Sequence, residues 1–298
     1  MPSRRIAFIA ALVVVSGAAS AATLVHDIFA DGDRTNQDIA NNSIAIFKAR
    51  SGTTATSNIG SVEFNPTAAA GADMYWGFFT EPDSPVSLGV GDTLTFKLTV
   101  SFTGLAAGNN GLRFGLLDSQ GSRQTADLTG GASNASFVGD TGYGLFTQMS
   151  SAPTAGNAFN LVERTTTSTS NVFNSAADFT TVGFTGTEVQ ALSDNQDYVL
   201  TYSIFRQSET DTILTAGITG GSLTNYSHSV TDTVTPQTTF DWFGFRIPGS
   251  TFATTISFKE IDVTISPIPE RSTSAVLAAT MLGLMFRRRS RKGSAEKP

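Results

Sequence analysis

An unbroken alternation of apolar and polar residues runs from Thr93 to Thr103. The polar positions hold threonine, serine or lysine, and the apolar positions are Leu94, Phe96, Leu98, Val100 and Phe102. Successive side chains of a β-strand point to opposite faces. This period of two therefore predicts a strand with one face in a core and the other in water.

A turn sequence follows this strand, because residues 108–111 are Gly-Asn-Asn-Gly. Glycine and asparagine adopt the backbone conformations that tight turns need. Leu112, Phe114 and Leu116 then resume the alternation. We therefore predict that they form a strand that pairs with Thr93–Thr103 as a hairpin.

Short runs rich in threonine and phenylalanine recur along the chain between clusters of glycine, asparagine and aspartate, a pattern typical of all-β domains. They predict strands near residues 24–30, 44–49, 62–65, 74–80, 143–148, 159–164, 179–185, 197–207, 210–218, 223–230, 241–247 and 254–265. The last run changes phase, because Ile256 and Phe258 share one parity and Ile261 and Val263 the other. A β-bulge near Lys259–Glu260 reconciles the two halves.

Roughly twelve to fourteen strands without an amphipathic helix between them imply antiparallel sheets packed face to face. We expect residues 22–266 to form an all-β domain, an antiparallel two-sheet jelly-roll sandwich. The sequence has no repeating blade period, which argues against a propeller.

The N-terminus has the three parts of a signal peptide. Arg4 and Arg5 are basic, Ile6–Val15 is apolar, and Ala19-Ser20-Ala21 is a small-residue cleavage site. We therefore predict that residues 1–21 are removed on export. The alternative is an uncleaved anchor, but an apolar core of about ten residues is half the length that a membrane span usually needs.

The C-terminus has an apolar run followed by a basic cluster. Residues 275–286 carry no charge, and five of the six residues from Arg287 to Lys292 are basic. This order predicts a short transmembrane helix with a cytoplasmic basic flank. The run from Ser272 covers roughly 22 Å as a helix, less than a ~30 Å hydrocarbon core, which favours a transient anchor. The alternative is a buried C-terminal helix of the domain.

The charge is divided between the ends and the body of the chain. Residues 22–266 hold 23 acidic and 10 basic residues, a net charge of 10 − 23 = −13, whereas the whole chain has −6. Nucleic-acid binding depends on clustered lysine and arginine, so this acidic body argues against it. The composition fits an exported protein.

The chain has no cysteine and only two histidines. Thiol catalysis, thiolate zinc sites and iron–sulfur clusters are therefore excluded. His26 and His228 each stand alone in sequence, and we expect neither to belong to a metal pair. About 245 residues bury enough surface for a full core without disulfides.

The tail 267–298 resembles a PEP-CTERM sorting signal, in which a Pro-Glu-Pro motif precedes a short hydrophobic helix and an arginine cluster. Pro267 opens the segment, Pro269 and Glu270 match the first two motif positions, and Arg271 stands where the second proline belongs. The resemblance implies that an exosortase in the membrane processes the tail. The protein would then be membrane-anchored in the cell envelope or released into an exopolysaccharide matrix.

The body more loosely resembles the concanavalin A-like lectin/glucanase sandwiches. The similar features are the opening Phe29–Asp33, the strand Gly111–Leu116 and the closing strand Phe258–Ile265. This resemblance implies a fold far more than an activity.

Calcium is the only cofactor for which the sequence provides ligands. Asp31, Asp33 and Asp38 lie in one glycine-containing loop and offer the hard oxygens that Ca²⁺ prefers, with Asp262 as a further donor. The loop begins like an EF-hand, but Asn36 and Asn42 replace the glycine and glutamate that such a loop requires. The alternative is a solvated aspartate-rich turn.

Glycan binding is the ligand class that the sandwich suggests. Sugars bind through aromatic faces and planar polar side chains. The candidates are Trp76, Asn110, Arg113, Asp118 and Tyr143, with Tyr75 and Trp242 as further aromatic residues. The alternative is that these aromatic side chains belong to the core.

No catalytic constellation is evident. Glu260 with Asp262 and Glu209 with Asp211 are the nearest carboxylate pairs, and we expect them to be surface acids. No nucleophile elbow, phosphate-binding loop or metalloprotease helix is present. We therefore predict a non-enzymatic exported protein with a polysaccharide-binding or matrix role. The alternatives are a glycoside hydrolase or polysaccharide lyase on the same sandwich, or a purely structural matrix protein.

Overall fold

The computed structural model describes residues 20–50, 52–66, 73–107, 111–130, 134–153, 158–165, 172–173, 178–184, 190–224, 226–247 and 252–267. Residues Ala21–Ser266 form one compact unit. The predicted signal peptide and the predicted tail lie outside the described residues, apart from Ser20, Ala21 and Pro267. Both stay predictions, as does the division of the chain at residues 21 and 267. Across the described ranges, no helix has the length and apolar character to cross a membrane.

The described residues carry seventeen strands and two short 3-10 helices. The 3-10 helices are Ile39–Asn41 and Ala135–Phe137. The strands are β1 (Ala22–Asp27), β2 (Phe47–Lys48), β3 (Thr54–Asn58), β4 (Ser61–Asn65), β5 (Asp73–Phe78), β6 (Val86–Ser87), β7 (Thr93–Thr103), β8 (Arg113–Asp118), β9 (Thr141–Thr147), β10 (Phe159–Arg164), β11 (Phe179–Phe184), β12 (Asp197–Arg206), β13 (Thr212–Gly220), β14 (Tyr226–Asp232), β15 (Thr239–Phe240), β16 (Trp242–Ile247) and β17 (Thr255–Ser266).

Two large sheets contain almost all of these strands. The eight-stranded sheet has the order β14-β13-β12-β7-β17-β4-β3, with β1 also paired to β17. The seven-stranded sheet has the order β11-β10-β9-β8-β16-β5-β2, and β15 pairs with β6 apart from both. Every pairing between these strands is antiparallel. The predicted all-β sandwich of antiparallel sheets is confirmed.

The main core lies between the two sheets. Strand β7 has the predicted bounds, and its five apolar side chains are buried while the residues between them face outward. Phe96 contacts Phe114 and Phe243 of the opposite sheet, with ring centroids 4.8 and 4.9 Å apart. Alternation therefore identified the buried face of this strand correctly.

The predicted bulge in the last strand is also confirmed. The pairing of β17 with β7 shifts register between Phe258 and Glu260. Ile256, Phe258, Ile261 and Val263 are all fully buried. The extra residue thus lets both halves of a long strand direct their apolar side chains to one core.

The predicted hairpin between Thr93–Thr103 and the strand after residue 111 is wrong. Strand β7 pairs with β12 and β17, and β8 lies in the other sheet between β9 and β16. Phe96 and Phe114 therefore meet across the core and not side by side. Alternation shows that each strand has an inward face, but it does not show which sheet each strand joins.

The central strands of the seven-stranded sheet are buried on both faces. All six residues of β5 are buried, and Tyr75 belongs to the main core. Met74, Trp76 and Phe78 belong instead to a second core on the outer face, together with Trp242 and with Phe137 and Phe173 from the covering loops.

Candidate functional site

Trp76 and Trp242 are core residues of the outer face. Both are fully buried. The Trp76 ring packs against Phe47 and Phe137, with centroids 5.9 and 5.6 Å away, and its indole N–H donates to the carbonyl oxygen of Gln124 at 2.7 Å. The structure leaves no exposed face of either indole.

The other predicted glycan-binding residues are dispersed. Tyr143 is fully buried in the main core. Arg113 lies over the Phe146 ring and donates to the carbonyl oxygen of Phe173. Asp118 is buried and accepts two hydrogen bonds from Gln120, while Asn110 lies outside the described residues. None of the four described residues lines either cavity below, so their role in glycan binding stays a prediction.

The three aspartates predicted to bind calcium stabilise turns. Asp31 accepts hydrogen bonds from the Asp33 N–H at 3.0 Å and the Asn36 side chain at 3.1 Å, and these bonds lower its pKa. Asp33 accepts from the N–H and hydroxyl of Thr35, which lower its pKa as well, and Asp38 pairs through its backbone with Ser43. In the part of the chain that the structure describes, no group of three or more acidic or histidine residues is arranged to hold a metal.

The sequence-adjacent acid pairs lie on the surface. Glu260 accepts from the Thr99 hydroxyl and lies 3.7 Å from the imidazole of His26. Asp262 lies 3.9 Å from both His26 and Lys97. Glu209 is 80% exposed and pairs with Arg206. These carboxylates line neither cavity described below.

The first cavity has a volume of about 530 Å³ and lies where β2 and β5 meet the loop after β8. It combines an apolar wall with arginine, threonine, glutamine and aspartate side chains. Its lining residues are Arg34, Thr35, Gln37, Ala45, Phe47, Phe78, Thr80, Pro82, Arg123, Thr125, Ala126 and Asp127.

Asp127 fixes the covering loop to the sheet. It accepts two hydrogen bonds from the Arg34 guanidinium at 3.0 and 2.6 Å, and a third from the Lys48 N–H at 3.0 Å. Arg34 also donates to the carbonyl oxygen of Ile46 at 2.6 Å. A bidentate arginine–carboxylate pair holds a defined geometry, so this rim of the cavity is preorganised.

Arg123 covers the floor of the same cavity. Its guanidinium carbon lies 4.0 Å from the centre of the Phe78 ring, and Nη2 donates to the carbonyl oxygen of Thr80 at 2.7 Å. Its Nε lies 4.0 Å from Asp241, whose pKa is raised by burial. Burial lowers the pKa of Arg123, because it disfavours the charged form.

Two buried polar atoms at this cavity have no hydrogen-bond partner among the described residues. They are the Thr80 hydroxyl oxygen and the Arg123 Nε. The Thr80 residue is only 7% exposed. A buried polar atom without a partner costs about 1–3 kcal/mol.

A second cavity of about 310 Å³ lies at the sandwich edge formed by β10, β11 and the segment after β14. Threonine side chains and two carboxylates form most of its wall. The lining residues are Glu163, Thr165, Thr180, Thr181, Val182, Thr231, Asp232, Thr233, Val234 and Thr235. Glu163 and Asp232 are each only 4% exposed.

A hydrogen-bonded chain joins the two carboxylates. The Tyr143 hydroxyl donates to Asp232 at 2.7 Å and accepts from the Gln237 N–H at 2.9 Å, while the Gln237 amide donates to Glu163 at 3.1 Å. Burial raises the pKa of Glu163 to about 7, repulsion from Asp232 acts in the same direction, and the Gln237 bond opposes both. Burial also raises the pKa of Tyr143 well above its usual value.

Sequence reasoning did not identify the residues of either cavity. Arg34 and Asp127 are 93 positions apart, and Glu163 and Asp232 are 69 positions apart. No local motif contains either pair. Only the tertiary fold brings the members of each pair together.

No protein-family model and no curated protein matches the chain. Among solved structures, it is similar to the carbohydrate recognition domain of Emp46p in a potassium-bound form, with a TM-score of 0.45, 8% identity, and 78% of this chain and 94% of that chain covered. It is also similar to the exoplasmic/lumenal domain of VIP36 bound to Ca²⁺ and Man3GlcNAc, with a TM-score of 0.45, 11% identity, and 75% and 84% covered. It is also similar to peanut lectin, with a TM-score of 0.43, 12% identity, and 84% of this chain and 99% of that chain covered. These values describe likeness alone and assign no function.

Proposed function

We propose that this chain is an exported glycan-binding protein whose body is a concanavalin A-like jelly roll and whose first cavity receives a sugar. The observation that carries this proposal is a cavity of about 530 Å³ that Phe47 and Phe78 line together with the polar residues Thr35, Gln37 and Arg123. Hydroxyl, amide and guanidinium groups all donate hydrogen bonds, and the first two also accept them. Together they complement the hydroxyl groups of a sugar.

The apolar wall supports the same ligand class. Ala45, Phe47 and Pro82 present carbon surface to the cavity, which polar side chains also line. Sugar-binding sites combine apolar contacts for C–H faces with a few placed polar groups for hydroxyls. A volume of about 530 Å³ accommodates a short oligosaccharide.

The ends of the chain extend the proposal to location. Residues 1–21 direct export, and the tail 267–298 is sorted through Pro267, Pro269 and Glu270 by an exosortase-type membrane enzyme. The protein is then retained by a short membrane helix or released to the cell envelope or extracellular matrix. Fractionating cells and determining the mature C-terminus by mass spectrometry test this, and an intact chain in the cytosol would contradict it.

Calcium remains a candidate structural ion at Asp31, Asp33 and Asp38. Carboxylates in one loop supply the oxygen ligands that Ca²⁺ prefers. Calorimetric titration with Ca²⁺ and a thermal melt with and without the ion test this assignment. No heat and no change in Tm would remove it.

Binding at the first cavity is tested with the full-length protein. A glycan array is followed by calorimetry with cellotetraose, mannotetraose and chitotetraose. We expect binding of at least one of these sugars, weakened tenfold or more by Thr80→Val and by Arg123→Met, since each replaces a polar side chain that lines the cavity. Thr95→Val, on the outer face of the other sheet, is the matched control and leaves the Kd unchanged. No binding on the array or in the titrations would overturn the proposal.

A further inference from the structure

The second cavity has an unbalanced charge. Glu163 and Asp232 both line it and are each only 4% exposed, whereas the described residues around it include no lysine, arginine or histidine. A buried carboxylate is costly unless an opposite charge and hydrogen bonds compensate for the lost hydration. Within the described part of the chain, the cavity therefore has two buried carboxyl groups and no basic side chain to balance them.

Glu163 has fewer hydrogen bonds than Asp232. Asp232 accepts at both oxygens, from the Tyr143 hydroxyl at 2.7 Å and from the Val234 N–H at 3.0 Å. Glu163 accepts one bond, from the Gln237 amide to Oε1 at 3.1 Å, and no other described residue donates to it. An ionised carboxylate accepts at both of its oxygens. The second oxygen, Oε2, is thus open to a donor that enters the cavity.

We propose that the second cavity binds a primary ammonium group, which Glu163 anchors through Oε2. The group belongs to an amino sugar with a free amine or to a short polyamine. An ammonium carries three N–H donors and a positive charge, so it supplies both the donor that Oε2 lacks and the charge that balances the two acids. This site is separate from the glycan site proposed for the first cavity and does not depend on it.

The electrostatics of the cavity and of the whole domain favour a cation. Burial raises the pKa of Glu163 to about 7, and repulsion from Asp232 acts in the same direction. A positive charge beside a carboxyl group has the opposite effect and favours the ionised form. Residues 22–266 hold 10 basic and 23 acidic residues, a net charge of −13. A field of this sign raises the local concentration of cationic ligands.

The remaining wall limits the carrier of the ammonium group. Its described residues include six threonines, together with Val182 and Val234. Each threonine hydroxyl both donates and accepts a hydrogen bond, and the valines contribute carbon surface. A volume of about 310 Å³ is at the lower end of the range for ligand sites. The wall therefore suits a small carrier, either a hydroxylated ring or a short aliphatic chain.

Calorimetry with the full-length protein tests the proposal. The probes are the glucosamine tetramer and putrescine, with N-acetylated chitotetraose and 1,4-butanediol as their neutral counterparts. We expect at least one amine to bind, with a Kd raised tenfold or more by Glu163→Gln. Glu209→Gln, which changes a carboxylate that is 80% exposed and away from the cavity, should leave that Kd within twofold. Tighter binding of the tetramer identifies an amino sugar as the source, and tighter binding of putrescine identifies a polyamine.

Three results would overturn the proposal. The first is that neither amine binds, even if Ca²⁺ does. The second is that Glu163→Gln leaves the affinity of the bound amine unchanged. The third is that this variant weakens the neutral counterpart as much as the amine, because the ammonium group would then not be what Glu163 recognises.

A second measurement uses the unaltered chain. The carboxyl ¹³C signal of Glu163, assigned with Glu163→Gln, is followed against pH with and without a saturating amine. Among the described residues, the titratable groups that act on Glu163 are Asp232 and Tyr143. We expect a midpoint near 7 in the free protein and a lower midpoint in the complex, because the ammonium favours the ionised carboxylate. A midpoint that the amine leaves unchanged also overturns the proposal.

The two binding proposals fail separately. If neutral oligosaccharides bind and Thr80→Val weakens them, but neither amine binds, the glycan site of the first cavity stands and the ammonium site fails. If an amine binds through Glu163 while no neutral sugar binds, the ammonium site stands and the glycan site fails.

Discussion

The phenol of Tyr143 donates a hydrogen bond to Asp232 at 2.7 Å, although the two residues are 89 positions apart. Tyr143 belongs to β9 of the seven-stranded sheet, and Asp232 ends β14 of the eight-stranded sheet. Both side chains are buried. The bond therefore ties the two layers of the sandwich together at one edge of the molecule.

Replacing Tyr143 with phenylalanine removes this hydrogen bond between the two sheets. Asp232 then keeps one of its two hydrogen bonds, and the Gln237 N–H loses its acceptor. We expect the free energy of unfolding to fall by about 1–3 kcal/mol, the cost of leaving buried polar groups unsatisfied. Urea denaturation followed by tryptophan fluorescence measures it, since Trp76 and Trp242 are both buried.

Tyr75→Phe is the matched control for that substitution. Tyr75 is also fully buried, but its hydroxyl has no hydrogen-bond partner among the described residues. Removing it should leave stability unchanged or raise it by up to about 1 kcal/mol. Equal losses in the two variants would show that the hydrogen bonds of Tyr143 are not the reason for its effect.

Asp140 makes the stability of the fold depend on pH. Burial raises its pKa to about 8 from the ordinary 3.8, Arg164 opposes this, and Asp241 and Asp118 add to it. The folded chain thus holds a proton that the unfolded chain releases above about pH 4. The free energy of unfolding should fall as pH rises from about 4 to about 8.

Asp140→Asn should remove this dependence. At pH 4 the variant and the parent protein should have similar stability, and by pH 8 the variant should be the more stable, by on the order of a few kcal/mol. Urea denaturation at pH 4, 6 and 8 provides the comparison. Asp83→Asn changes an exposed aspartate and serves as control. A constant difference between Asp140→Asn and the parent across this pH range would contradict the prediction.

Gly115 is required for close packing on the outer face of the seven-stranded sheet. A Cβ at this position would lie 2.5 Å from the Phe173 ring and 2.8 Å from the carbonyl oxygen of Tyr143. We expect Gly115→Ala to destabilise the protein by about 1–3 kcal/mol, the usual cost of overpacking. Gly130→Ala, which meets no atom within 4 Å, is the control for thermal denaturation. Equal Tm values for the two variants would disprove the packing argument.

Asp127 should control the order of the loop that covers the first cavity. Asp127→Ala breaks the bidentate bond to Arg34 and the bond from Lys48. We expect a loss of about 1–2 kcal/mol, because these groups are partly buried, and faster amide hydrogen exchange across residues 123–128. Glu209→Ala removes an ion pair whose carboxylate is 80% exposed, and its effect should stay within about 0.5 kcal/mol. Unchanged exchange in Asp127→Ala would show that other contacts hold the loop.

Part of the fold was predictable because it depends on local pattern. The bounds of β7, its buried face and the bulge between Phe258 and Glu260 all follow from the alternation of apolar side chains. The partner of β7 was not predictable in this way. A strand of the same pattern fits either sheet, and residues 104–112 connect β7 to a strand across the core where a hairpin was expected.

The residues that line the two cavities could not be predicted from the sequence, for a related reason. Trp76 and Tyr143 are candidates because of the chemistry that their residue types allow, and the structure buries them on opposite faces of one sheet. Thr80 and Glu163 carry no distinguishing neighbours in sequence. Burial is what leaves the Thr80 oxygen without a partner and raises the pKa of Glu163, and burial is a property of the assembled layers.

By itself, the sequence determined that the body of this protein is an antiparallel β-sandwich without thiol chemistry, because side-chain period and composition are local quantities. The tertiary structure alone decided which strands pair, why the seven-stranded sheet has a second core, and which distant residues share a cavity. The physical reason is that backbone hydrogen bonds between strands form whatever side chains the strands carry. Strand order therefore depends on how all the side chains pack together.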